Sequence, residues 1–173
     1  MAVYRHIDPF HPSSVPDNSA ALDRLLDEMR SGPFHLRHPR LADMVVEALH
    51  YNAEVLSHYV MHAFVVMPNH VHLLLTPAVA LPKLTKSLKS ITAKRANQTL
   101  GLTGQPFWQE ESYDHLVRDG RELERIRLYI ELNPVRAGLA HEASKYRWSS
   151  AGWQPGVALP TRASAPLDRS ICK

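Results

Sequence analysis

Apolar and polar positions along the chain fall into blocks of different period. An irregular lead-in over residues 1–18 carries Pro9, Pro12 and Pro16, and the series Ala20, Leu22, Leu25, Leu26 and Met29 then repeats at helical spacing. Ser19 as an N-cap and Gly32–Pro33 as a stop bound that first predicted helix at residues 19–31. A second helix begins near Pro39, a favoured first-turn residue, and sends Leu41, Met44, Val45, Ala48 and Leu49 toward the core. Residues 59–67 read as a strand, Pro68–Asn69 as a tight turn, and the apolar run after it as a second strand, so an antiparallel pair is expected.

Helical period returns over residues 81–100, with Leu84, Leu88 and Ile91 on one stripe and Lys83, Lys86, Ser90, Lys94 and Asn97 along its flank. Residues 101–106 are a loop by composition, and Tyr113–Arg118 a further strand. From Gly120 a last helix buries Leu123, Ile126 and Ile130, and Pro134 is expected to end it. Tyr129 and Asn133, four residues apart, share one edge of that buried stripe.

Composition narrows the class. A chain of 173 residues, 45% apolar and 21% charged, is that of an ordinary soluble globule. We expect one domain over 19–150 and a flexible tail over 151–173. The single cysteine, Cys172, makes no internal bridge, and no run of residues is apolar enough for a membrane span or a signal core, so a cytoplasmic protein is expected. A formal charge of +3 favours a polyanionic partner without establishing one.

Candidate chemistry sits in the second strand of the hairpin. His70 and His72 lie one residue apart, so their side chains leave the same face of an extended chain, a spacing that suits two imidazoles on one metal ion. With 11 histidines, about 0.7 such pairs arise by chance, so context must carry the assignment. A buried strand seldom spends two inward positions on imidazole, whose nitrogens need partners. Metal ligands and hydrogen-bonded core histidines are both open at this point. The same holds for the lysine flank, which either faces solvent or holds phosphates, and for Trp108 and Tyr113, which either pack in the core or stack on unpaired bases. His-x-His on a strand followed by a helical tyrosine with an amide at i+4 supplies metal ligands and a nucleophile, an assembly suited to phosphoryl transfer through a phosphotyrosine.

Three segments carry a family resemblance: Ala63–Leu74, Pro106–Phe107–Trp108–Gln109, and Tyr129–Leu139 with its run Tyr-Ile-Glu-Leu-Asn-Pro-Val-Arg-Ala-Gly-Leu. In this order they resemble the REP-associated tyrosine transposases, single-tyrosine members of the HUH endonuclease superfamily, over about residues 33–150. The resemblance implies a ferredoxin-like α/β (α+β) sandwich with helices packed on an antiparallel sheet. It also implies strand-specific cleavage and joining of single-stranded DNA beside an imperfect hairpin, using Mg²⁺ or Mn²⁺ and a 5′-phosphotyrosine intermediate. His70, His72 and Asn133 then become metal ligands and Tyr129 the nucleophile, with Tyr113, beside Asp114 and His115, the next candidate. The DNA-binding candidates are Lys83, Lys86, Lys94, Arg118, Arg136 and Trp108. A monomer or a homodimer would serve.

One departure shapes the expectation for the fold. Members of this family open with an apolar, β-branched strand beside the histidine strand, whereas Ala2–Pro9 here is short and poor in strand formers. The sheet is therefore expected to be incomplete or built differently. Two alternatives follow: a non-catalytic nucleic-acid-binding regulator on the same fold, or a metallophosphoesterase whose nucleophile is water.

Overall fold

The computed structural model describes residues 1–7, 33–108 and 112–154. The expected helix at 19–31, most of the lead-in and residues 155–173 lie outside the described residues. Among the described residues four antiparallel strands form one sheet in the order β2-β3-β1-β4: β1 Val3–Ile7, β2 Tyr59–Val66, β3 Val71–Pro77 and β4 Tyr113–Leu116. Three long helices among the described residues pack on it: α1 Pro39–His50, α2 Leu81–Leu100 and α3 Gly120–Arg136. The α+β fold expected from the sequence is the one observed.

The expectation of an incomplete sheet is overturned by β1. Its five residues occupy the centre, pairing Val3 with Leu75 through Ile7 with Val71 on one side, and Val3 with Leu116 through His6 with Tyr113 on the other. Both edges are bonded, so a short strand suffices. Val3 and Ile7 enter the core on the α1 and α2 side, and Tyr4 enters the core on the α3 side. Arg5, which makes this strand look unlike a central one, is buried but grips Asp114 of β4 with two bonds, Nε to Oδ1 at 2.7 Å and Nη2 to Oδ2 at 2.6 Å. A charge taken out of water is tolerated when a bidentate carboxylate meets it.

The β2–β3 hairpin turns through Pro68 and Asn69, closed by the Met67 N–H donating to the His70 carbonyl at 2.8 Å. Proline at the second position of such a turn presets the backbone. Along β2 the pairing shifts between Met61 and Ala63, leaving His62 as an extra residue. This bulge switches the parity of the strand: Tyr59 and Met61 face the α1 and α2 side before it, and Phe64 and Val66 after it. Ala63, Val65 and Met67 thereby join Leu74 and Tyr4 under α3.

The two faces have separate cores. Leu84, Leu88 and Ala96 of α2 pack with α1 and with Leu73 and Leu75, while Ile126 and Ile130 of α3 pack with Tyr4, Val65 and Leu74. Ile91, expected on the buried stripe of α2, is 42% exposed, and its place is taken by Thr92. At 100° per residue the row through 84, 88, 92 and 96 points to the sheet, so Ile91 rotates off it. Asn97, expected on the flank, is buried and donates through Nδ2 to the Gln105 carbonyl at 2.6 Å. Gly101, with φ +70°, ends α2 in the left-handed region that favours glycine.

Helix α3 starts on Asp119, whose Oδ1 accepts from the Glu122 N–H at 2.8 Å. Glu122 returns the favour by accepting from the Arg118 N–H at 2.7 Å and also reaches His115 Nε2 of β4 at 3.0 Å. The bond from the Arg118 backbone, supported by His115, holds the Glu122 carboxyl below the usual carboxylate range. Contrary to expectation, Pro134 lies inside the helix, which runs on to Arg136. Proline costs one N–H donor there, but Ala137 N–H to Asn133 O at 2.9 Å and Leu139 N–H to Pro134 O at 2.8 Å close the final turn. Beyond it, Val66 N–H donates to the Trp148 carbonyl and Ser150 N–H to the Phe64 carbonyl, laying residues 148–150 along the outer edge of β2. Of the tail expected from residue 151, Trp153 is packed, its ring stacked on His50 at 3.8 Å.

The cap at α3 is testable. Asp119→Ala should destabilise the protein by about 1 kcal/mol, read as a lower urea midpoint with unchanged slope. A carboxyl with a depressed folded pKa stabilises above its unfolded value of about 4.3 and loses that contribution as pH falls through the lower folded value. Glu122→Gln should therefore weaken the protein at neutral pH, and the gap from wild type should close in strong acid.

Candidate active site

His70 leaves the hairpin turn directly, one residue before β3, and His72 follows on the same face. Both are buried, and their rings meet edge to face with centroids 4.6 Å apart. The convergence expected from the one-residue spacing is present.

Each imidazole is held through its Nδ1. For His70 the partner is Asn69 Oδ1 at 2.8 Å; for His72 it is the Tyr4 hydroxyl at 2.6 Å, with the two rings also stacked. Asn133 Nδ2 lies 3.3 Å from His72 Nε2. An amide nitrogen only donates, so in this arrangement Nε2 accepts and Nδ1 carries the proton to the Tyr4 oxygen. Tyr129, half-buried, stands against His72 with ring centroids 5.7 Å apart, and the Arg136 guanidinium carbon lies 5.3 Å from the Tyr129 ring centre. Helix α3 thus brings Tyr129, Asn133 and Arg136 to the two histidines, as the i, i+4 and i+7 spacing permits.

Two of these residues were not among the sequence candidates. Asn69 could have been noticed as the polar residue next to His70. Tyr4 carried no signal, because its relevance depends on β1 lying beside β3, a pairing that the local sequence does not announce.

The donor set bears on a metal. Among the described residues no three His, Cys, Asp or Glu side chains cluster, so a site here would use two imidazoles and an amide. Two imidazoles with ring centres 4.6 Å apart are near enough to serve one ion. Imidazoles that ligate a metal through one nitrogen are oriented by an oxygen on the other, a part that the Asn69 carboxamide and the Tyr4 phenol can fill here. Turned over, the Asn133 amide presents Oδ1, a ligand for hard divalent ions. The residues fit the group.

The other candidates lie elsewhere. Lys83, Lys86 and Lys94 are exposed on α2, across the sheet from Tyr129, so the lysine flank does not border the histidines. Arg118 is exposed at the start of α3. Trp108 is 8% exposed, packs against Phe107 and donates through Nε1 to Thr92 Oγ1 at 2.7 Å, the core arrangement rather than one offering its face to a base. Tyr113 belongs to β4 by its backbone, and its side chain is outside the described set.

A family model described as IS200-like transposase matches residues 36–133, more than half of the chain. The chain belongs to the IS200-like transposase family. The match contains His70, His72, Tyr129 and Asn133 and stops short of Arg136. In three dimensions this transposase is similar to a REP-associated tyrosine transposase solved bound to a REP hairpin, with TM-score 0.53 and 15% identity over 86% of this chain and 74% of that one. It is also similar to a protein assigned as a transposase in Deinococcus radiodurans R1, with TM-score 0.41 and 21% identity over 77% of this chain and 90% of that one. No curated protein matches the sequence. No helix among the described residues is long and apolar enough to cross a membrane.

Tyr4→Phe removes one oxygen from the arrangement and keeps the ring. It should shift the ¹⁵N resonances of His72 and lower Mn²⁺ affinity by about tenfold, read by titration calorimetry without DNA. Unchanged affinity and unchanged resonances would reduce Tyr4 to packing.

Proposed function

We propose that this transposase nicks and rejoins single-stranded DNA beside a hairpin, with Tyr129 as the nucleophile. The observation that carries the reading is the juxtaposition of Tyr129 with His72, itself 4.6 Å from His70 between ring centres and 3.3 Å from Asn133. The Tyr129 oxygen attacks phosphorus as the bond from phosphorus to the 3′-oxygen breaks. The phenol proton leaves to solvent and the departing 3′-oxygen takes one up, leaving a 5′-phosphotyrosine and a free 3′-hydroxyl. Rejoining reverses the exchange.

A phenol ionises near pH 10 in water and is a weak nucleophile while neutral, so positive charge must favour its oxyanion. Arg136 provides a guanidinium at the ring. His70, His72 and Asn133 would hold Mg²⁺ or Mn²⁺, which when bound supplies charge to a non-bridging phosphate oxygen. Asn69 and Tyr4 orient the two imidazoles for that task. The neighbour's REP hairpin supports a hairpin-bearing partner for this chain too. Lys83, Lys86 and Lys94, across the sheet, would hold DNA phosphates away from the reacting strand, with Arg118 beside the α3 start. Trp108 is left out of the contact surface. The domain proposed to carry this chemistry is residues 19–150, with β1 added to it; a cytoplasmic setting and a monomer or homodimer suit the role.

Single-stranded DNA from the flanks of the gene, incubated with Mg²⁺ or Mn²⁺, should give a covalent adduct on a denaturing gel. Tyr129→Phe should keep hairpin binding and lose both nicking and adduct. His72→Ala should lose cleavage with the fold intact, at a cost in thermal stability because the buried Tyr4 hydroxyl loses its partner. Cutting without an adduct would identify water as the nucleophile, and binding alone a non-catalytic protein; cutting by Tyr129→Phe would move the search to Tyr113.

Salt dependence tests the lysines separately. Replacing all three by Ala should weaken binding to every single strand alike and reduce the slope of log affinity against log salt by about 2, from roughly 0.7 per phosphate. An unchanged slope would remove this surface from the DNA path.

A further inference from the structure

On the sheet face turned away from His72, a cleft of about 790 Å³ opens between the first half of α2, residues 105–108 and the start of β4. Arg5 forms part of its wall from the centre of the sheet, only 3% exposed. Its Nε and Nη2 are committed to Asp114, but Nη1 is buried with no acceptor. Ser112, two residues from Asp114 and so on the same side of the chain, also lines the cleft with a buried Oγ that has no partner. Buried donors without acceptors cost free energy, and two in one cleft mark a place built for an oxygen-rich group.

Charge gives the sign of that group. Among the described residues that line the cleft, Arg5 and Lys86 are cationic and Asp114 carries a carboxylate. The guanidinium edge that Asp114 leaves unused suits a phosphate, and Lys86 adds a cation to the same wall. The space far exceeds a phosphate, and its remaining wall includes Leu81, Pro82, Pro106 and Phe107, apolar and flat enough to take a sugar and base.

We propose that this cleft binds a nucleoside 5′-phosphate unit, its phosphate directed to Arg5 Nη1, Ser112 Oγ and Lys86 and its base against the Pro106–Phe107 wall. The unit is either a free nucleotide or one residue of a DNA strand; only the second source rests on the DNA reading above. The cleft is separated from Tyr129 by the sheet, so occupancy does not depend on the nicking chemistry.

Titration of the full chain with each deoxynucleoside 5′-monophosphate, followed by ¹H–¹⁵N NMR, should shift resonances of residues 85–90, 105–108 and 112–114. Ser112→Ala and Lys86→Ala, both away from the core, should each weaken binding by about fivefold with unchanged thermal stability. Tyr129→Phe should bind as wild type, which separates failure of this site from failure of the nickase reading. A short unstructured single strand that displaces the mononucleotide identifies DNA as a source, and retention of the mononucleotide identifies a free nucleotide; either supports the site. No shifts with mononucleotide or strand, shifts clustered around Tyr129 instead, or inorganic phosphate binding as well as the nucleotides, would overturn the proposal.

Discussion

A phenol oxygen 2.6 Å from an imidazole nitrogen, Tyr4 to His72, ties the first strand of the chain to the candidate active site. The contact exists only because β1 lies directly beside β3, and β1 lies there only because β3 and β4 bond it on both edges. On one face of this short strand Tyr4 fixes the orientation of a histidine. On the other, Arg5 locks β4 through Asp114. Five residues therefore decide both how the sheet closes and which nitrogen of His72 is presented to α3.

The site is assembled from two rigid pieces meeting at His72. One is the hairpin, whose Pro68–Asn69 turn delivers His70 and supplies the amide that holds it. The other is α3, pinned at its start by Asp119 and by the link from Glu122 to His115, and fixed along its length by Ile126 and Ile130 in the core. Elements packed in this way place side chains more accurately than loops do. Burial of the histidines removes water that would compete for their nitrogens, and burial also pushes the Tyr146 phenol up, where its hydroxyl donates to Val66 O at 2.9 Å near the same hairpin.

What the sequence discloses and what it hides follow from where the information resides. The His-x-His convergence, the Tyr129 and Asn133 pairing and the three described helices are local, set by a period of two or of 3.6 within one element. The place of β1 is not local: five residues containing an arginine look like a lead-in until Asp114, more than a hundred positions away, is brought alongside. The bulge at His62 is equally hidden, because parity along β2 is settled by which core each residue meets. Pro134 misleads in the opposite direction, since a missing donor near a helix end is tolerable when the next turn is closed by other bonds. Trp108 illustrates a residue type with two fates, decided here by Thr92 Oγ1 and the neighbouring Phe107.

The short run from Trp148 to Ser150 has a consequence for colloidal behaviour. A strand at the margin of a sheet is a template on which another chain can polymerise, and β2 is eight residues long with three Val and one Phe. Val66 N–H and the Phe64 carbonyl are already taken up by that run. Loss of the segment after Tyr146 would bare them, so a truncated product would be expected to aggregate through β2 while the candidate site on the neighbouring strand remained formed.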